Sequence, residues 1–308
     1  MISVVIPAYN EASNIQATIA ETLVGLKSSP YAEQYEIIVV DDHSSDNTFE
    51  KVEALQVKEV KAIRLSRNSG SFTAIRTGMR EAEGDAVICL AADGQDDPAV
   101  IPALLEKWHQ GAQIVWACRK SRANESWLIK LPALMFYHLL QWMTPRNKTG
   151  IDLPRADFYL MDRQVVDAIN QCQERYTSLF GLILWSGFRQ ESVDYERKLR
   201  RSGSSKWNFT SRLNLAKDWI IAFSGLPLKA MIWLGFCISF LGFCYALFVF
   251  ITHFTKGEHV EGWASVMMVV LILGGLNMAM LGVIGEYLWR NLEETRKRPL
   301  SFIERRTK

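Results

Sequence analysis

The residues of this chain best suited to chemistry gather at Asp93, Gln95, Asp96 and Asp97, directly after the apolar run 87–92. An apolar run without polar alternation predicts a strand covered on both faces. In an open α/β sheet ligands bind beyond the C-terminal strand ends, so carboxylates placed there face a ligand site. Oxygen ligands without Cys or His suit a hard divalent cation such as Mg2+ or Mn2+. A solvated acidic turn ended by Pro98 has the same composition, and these residues alone leave both readings open.

The elements that must position the cluster follow from the surrounding pattern. β-branched runs at 3–6, 36–40, 61–65 and 86–90, with a fifth at 114–117, alternate with helical patterns. That alternation predicts an α/β fold with a mostly parallel, Rossmann-like sheet. Ser13 and Gln16 have the spacing of a capping box ahead of the first helix. No Gly-x-Gly-x-x-Gly follows the first strand and no P-loop is present, which argues against a dinucleotide-binding protein or P-loop enzyme. Each early strand instead ends in polar residues: Asn10 and Glu11, then Asp41, Asp42 and Asp46, then 66–70, then the 93–97 cluster. Four such ends outline a cleft suited to a base, a ribose and phosphates. The run 157–161 reads as a further strand with Asp157 at its entry.

The chain has 308 residues and a formal net charge of +2, which argues against a nucleic-acid partner. The first 223 residues are mixed and charged, whereas 227–289 are strongly apolar. Five scattered cysteines lack metal or disulfide spacing and suit a reduced compartment. No basic n-region follows Met1, so a cytoplasmic N-terminal domain is expected. Two basic stretches stand out, 119–130 and 197–206. Residues 207–228 read as an amphipathic interfacial helix and linker, or else as an ordinary surface helix. Residues 230–255 and 262–285 carry no Asp, Glu, Lys or Arg. Each exceeds the roughly 20 apolar residues that cross a bilayer, so two transmembrane helices are expected. Bases at Lys229 and beyond Arg290 place both termini in the cytoplasm by the positive-inside rule. The expected domains are 1–206, the interfacial 207–228, the membrane hairpin 229–290 and a basic tail at 291–308.

Pro7-Ala-Tyr-Asn-Glu11, Asp41-Asp-x-Ser-Ser-Asp46, Leu65-Ser-Arg-Asn-x-Gly70, Asp93-x-Gln-Asp96, Asp157-Phe-Tyr-Leu-Met161 and Arg200-x-x-Gly-x-Ser-Lys206 occur in that order before two spans. This ordered set resembles the polyisoprenyl-phosphate glycosyltransferases. That group includes the dolichol-phosphate mannose synthases and the bactoprenol glucosyltransferases of the GtrB type, and the two-span ending looks most like the latter.

The resemblance implies an inverting GT-A enzyme that moves a sugar, with UDP-glucose as leading donor, onto undecaprenyl phosphate at a bacterial inner membrane for cell-surface glycan modification. It implies donor binding by Pro7, Tyr9, Glu11, Asp41, Asp42, Arg67 and Asn68, with Asp41 either sharing that task or supporting the loop. Asp93 and Gln95 match the metal and diphosphate positions, and Asp96 shapes the loop. Asp157 matches the carboxylate near the reacting centre. Arg119, Lys120, Arg122, Arg200, Ser205 and Lys206 match the groups that meet the acceptor phosphate. A homo-oligomer, a tetramer by analogy, is implied too. Ala91 stands where most members have an Asp, and Gly94, Ser69 and Ser71 also depart from the pattern. Competing readings are a processive polysaccharide synthase, whose extra spans and Gln-x-x-Arg-Trp motif are missing, and a membrane-anchored nucleotide-binding scaffold.

Overall fold

Short β-branched runs alternating with helices build the first part of the chain in the computed structural model. It describes residues 1–120, 156–172, 174–175, 177–198, 201, 226–256 and 262–307. The strands are β1 (Ile2–Ala8), β2 (Tyr35–Asp41), β3 (Val60–Leu65), β4 (Ala86–Cys89), β5 (Ile114–Arg119), β6 (Ala156–Asp162), β7 (Gln190–Tyr195) and β8 (Ile303–Arg306). Between β1 and β7 lie helices α1 (Ile15–Lys27), α2 (Thr48–Glu53), α3 (Ser71–Glu81), α4 (Ile101–His109), α5 (Arg163–Gln171) and α6 (Leu179–Trp185). The strands form one sheet in the order β7-β5-β6-β4-β1-β2-β3-β8. β4, β1, β2 and β3 run parallel, as do β5 and β7, while β6 and β8 are antiparallel to their neighbours. This is the expected mostly parallel α/β sheet.

The sheet is buried because its central strands are apolar on both faces. Val4, Val5, Ile6, Ile37, Ile38, Val39 and Val40 are all essentially inaccessible. A strand covered on both sides needs this continuous run. Gly78 lets α3 lie close on the sheet, since a Cβ there would fall 2.4 Å from Val5 Cγ1. At the opposite edge from the strand ends, Glu36 Oε1 accepts from Ser3 Oγ at 2.7 Å and its Oε2 from Lys61 Nζ at 2.8 Å. These bonds tie the starts of β1, β2 and β3 together.

Three local outcomes differ from the sequence pattern. α1 starts with Asn14 rather than Ser13 at its N-cap, and Gln16 donates to Lys51 O instead of closing a capping box. β7 adds parallel to β5, although its sequence alternates charged and apolar residues too irregularly to announce a strand. Residues 291–308, read as a basic tail, carry the last helix to Thr295 and then supply β8 to the sheet.

The chain divides into one unit of Met1–Arg212 with Pro299–Lys308, and a second of Leu213–Arg298. The second holds α7 (Leu226–Lys256) and α8 (Trp263–Thr295). Both are long and apolar enough to cross a membrane by length and composition. Their large side chains, among them Trp233, Phe243, Leu271 and Met278, are exposed in the isolated chain. Helices this apolar all round, left uncovered in one chain, suit a membrane surrounding. Residues 207–225, most of the expected interfacial helix, lie outside the described residues. The five cysteines are free thiols, and burial pushes the Cys89 thiol up to about 12.

Candidate active site

Because β4, β1, β2 and β3 are parallel neighbours, their polar C-terminal ends come together at one edge of the sheet. Strand order reverses around β1, which separates β4 from β2. Crevices of this kind are where open α/β sheets bind ligands.

On the β2 side the acidic residues are built into the loops. Asp41 is buried, accepts from Ser44 N at 3.1 Å and pairs with Arg64 Nη1 at 2.9 Å. Burial raises its carboxyl above the ordinary value, against the opposing pull of Ser44 and Arg64. Asp42 receives Ser69 N at 2.7 Å and Gly70 N at 2.8 Å, one on each oxygen. Burial lifts its carboxyl as well, and these two amides oppose the rise. Asp41 thus holds its own loop, while Asp42 fixes the loop between β3 and α3. That second loop bears Arg67 and Asn68, both exposed. Gly70 sits at φ +89°, a left-handed backbone that favours glycine, at the N-cap of α3.

The loop after β1 is held in the same way. Asn10, at φ +54°, accepts Ser45 N at 2.8 Å, and Glu11 Oε2 accepts Asn14 Nδ2 at 2.6 Å. Glu11 N donates to Thr48 Oγ1 at 3.0 Å. Pro7 and Tyr9 are half-buried beside it. The loops at the ends of β1, β2 and β3 are therefore a set of interlocked turns.

The cluster after β4 divides its labour. Asp96 is buried, accepts Ala91 N at 2.7 Å and lies 3.5 Å from the Tyr195 hydroxyl, so it closes the loop. Asp93 Oδ1 accepts Gln95 N at 3.1 Å. Gly94 turns the chain at φ +72°. The segment following β7 then lies on this loop. Arg197 Nη2 donates to Gln95 Oε1 at 2.9 Å, and Lys198 Nζ lies 3.0 Å from Asp97 and 3.3 Å from Glu21. Arg201 also pairs with Glu21, and a Cβ on Gly94 would fall 3.3 Å from its Nε. Sequence singled out the basic run that holds Arg197, Lys198 and Arg201, but not their pairing with Glu21, Gln95 and Asp97. The signal was present in the charge complementarity between the 197–206 run and the 93–97 loop.

Asp157 lies at the start of β6, where register skips it: Phe158 pairs with Ala117 and Ala156 with Cys118. Bulges of this kind recur beside active sites. Tyr159 pairs with Cys89, so Asp157 sits level with the exit of β4. Arg119 ends β5 half-buried, and Lys120 follows exposed, donating its amide to Tyr195 O at 2.9 Å. Arg122, Arg200, Ser205 and Lys206 lie outside the described residues.

No group of three His, Cys, Asp or Glu side chains forms a metal cage among the described residues. A cation that takes most of its ligands from water and phosphate needs only one or two protein carboxylates. Asp93 fits that role. Gln95 fits it less well, because its amide oxygen is held by Arg197.

Comparison with known proteins defines the class. Residues 3–163 match the family model of glycosyl transferase family 2, and residues 226–290 match that of the GtrB C-terminal hairpin. The chain belongs to glycosyl transferase family 2 and is a glycosyltransferase that carries the GtrB hairpin. It is 42% identical over 304 residues to an uncharacterized glycosyltransferase of Synechocystis, covering 98% of this chain and 94% of that one. It is 34% identical over 308 residues to the bactoprenol glucosyl transferase of Shigella phage SfX, covering 99% of each. Mannosyl-3-phosphoglycerate synthase of Rubrobacter xylanophilus shares the GT-A-like fold, with TM-score 0.51 and 17% identity over 75% of this chain and 74% of that one.

Proposed function

We propose that this protein transfers a hexose, with UDP-glucose as leading donor, to a polyisoprenyl phosphate such as undecaprenyl phosphate at the cytoplasmic face of a membrane. The observation that carries the proposal is one chain joining an acidic, base-covered strand-end cleft to two helices apolar enough to span a bilayer. Full-length similarity to a bactoprenol glucosyl transferase supports the same acceptor. Both chain ends contribute strands to one sheet, which supports placing them on one side of the membrane.

The nucleoside would sit against the turns after β1, β2 and β3, with Tyr9, Arg67 and Asn68 accessible to it. The diphosphate would reach the 93–97 loop. Its leaving group gains negative charge as the glycosidic bond breaks, and stabilising that charge is the main catalytic demand. Asp93 would hold a Mg2+ or Mn2+ ion there, and that ion would supply Lewis-acid stabilisation when bound. Arg197 and Lys198, next to that loop, add positive charge. The acceptor phosphate oxygen is already anionic at neutral pH and needs no strong base. In this scheme Asp157 orients the reacting groups, and Arg119, Lys120, Arg122, Arg200, Ser205 and Lys206 neutralise the phosphate. Attack opposite the leaving group inverts the anomeric centre.

The test is to incubate membranes holding the full chain with radiolabelled nucleotide sugars, each with Mg2+ or Mn2+, and extract the lipids. A single labelled glycosyl-lipid is expected, and Asp93→Ala is expected to lower its rate at least about a hundredfold. Labelled polymer would point to a processive synthase. Donor binding without labelled product would leave only a scaffold.

A further inference from the structure

We infer that the C-terminal strand is a positioning device for the nucleotide end of the site, with Glu304 its key residue. The inference rests on the proposed donor role of the 41–48 and 66–70 loops and adds to it a segment outside every motif that marks the site.

β8 pairs with β3 at the sheet edge, Ile63 opposite Arg306 and Arg64 opposite Arg305. Its bonds reach both nucleotide-side loops. Ser66 N, at the head of the 66–70 loop, donates to Phe302 O at 2.9 Å. The Glu304 carboxylate lies 3.3 Å from Arg64 Nε and 3.5 Å from His43 Nδ1. Arg64 in turn holds the buried carboxylate of Asp41 at 2.9 Å and donates from Nη2 to Ser44 O at 3.0 Å. His43 is also 3.1 Å from Leu65 O, and its backbone sits at φ +60°. Glu304 therefore pairs with Arg64 and lies beside His43, whose Nδ1 faces Leu65 O, and Arg64 places Asp41 and Ser44.

Neighbouring contacts brace the same region. Arg305 bonds both oxygens of Glu53, at 3.0 and 2.7 Å, and lies over the Phe49 ring of α2. Arg306 meets Glu81 at 2.9 Å, and Ser301 Oγ lies 2.7 Å from Thr77 Oγ1 of α3. The guanidinium of Arg64 is mostly shielded, so removing Glu304 leaves it paired on one side only. A guanidinium held by fewer partners loses its fixed geometry, and the loop it supports samples more conformations. Glu304 is thus a positioning residue, acting on the donor through Arg64.

The test compares the full-length wild type with Glu304→Ala and Glu304→Asp in detergent. Amide hydrogen exchange is followed in each, and donor and lipid-phosphate KM are measured. The inference expects faster exchange confined to 41–48 and 66–70 in Glu304→Ala. It also expects a donor KM raised about fivefold, an unchanged acceptor KM, and partial recovery in Glu304→Asp. A general loss of protection throughout the sheet, or unchanged exchange in the two loops, would overturn it. Exchange is read without any ligand, so this outcome stands even if the wild type glycosylates no lipid, a result that would count against the proposed function alone.

Discussion

Asp41 and Asp42 are adjacent, equally buried, and spend their oxygens differently: one on a guanidinium and its own turn, the other on two amides of the next loop. Sequence placed both at the site, but one motif could not say which oxygen serves which partner. Glu36 shows the same limit away from the site. Burial by itself would raise its carboxyl, yet bonds from Lys61, Glu83 N and Ser3 outweigh burial and hold it below the ordinary value. A depressed folded value means stability that is present above the unfolded value, 4.5, and is lost as pH falls through the folded one. Glu36→Gln is therefore expected to lower Tm by about 2–4 °C at pH 7. Thermal melts in detergent should show that difference closing as the pH drops below the folded value; a constant difference down to strong acid would contradict it. The acidic strand ends at Asp41, Asp42 and Asp93 were legible because a buried apolar run stopping at carboxylates is a local signal. The pairing of Arg197 with Gln95, or Arg64 with Asp41, was not, because it joins residues distant in sequence.

At the scale of elements, α1 sets the height of the 93–97 loop. Gly25 faces the chain just beyond that loop, and a Cβ there would fall 2.4 Å from Pro98 O, a backbone atom that cannot swing aside. Gly25→Ala is expected to cost about 1–3 kcal/mol through overpacking, more than offsetting the helix propensity of alanine. It should also raise donor KM, because the strain falls next to Asp97. Gly235→Ala in α7, where a Cβ meets nothing within 4 Å in the chain, serves as the control and should leave the melting temperature unchanged or higher. Equal Tm and donor KM for Gly25→Ala and wild type would remove α1 from this role. Apolar strands were readable from sequence to within a residue or two. β7 and β8 were not, since Gln190–Tyr195 and Ile303–Arg306 are short and charged and become strands only through the neighbour that accepts them.

At the scale of the whole molecule, β1 and β8 lie in one sheet although α7 and α8 separate them in sequence. A sheet cannot straddle a bilayer, so a membrane-inserted hairpin must leave and return on the same side. In a variant freed of its native cysteines, the new thiol of His259→Cys is expected to react with an impermeant maleimide from outside intact cells. That of Thr307→Cys is expected to react only after lysis. Labelling of both from the same side would contradict the arrangement. The two apolar helices were plain from composition alone, because a charge-free run long enough to cross a bilayer is a local signal. The return of the chain end to the sheet was invisible, because nothing local in Ile303–Arg306 names its partner.

That return also sets a schedule. Arg305 and its partner Glu53 are 252 positions apart. At about 5–20 residues per second, roughly 10–50 seconds of synthesis separate them. Until then β3 is a bare edge strand, and Arg64 waits for Glu304. A nascent chain thus finishes the loop after β2 only after both apolar helices have been made, and the part of the enzyme encoded nearly first is among the last to be completed.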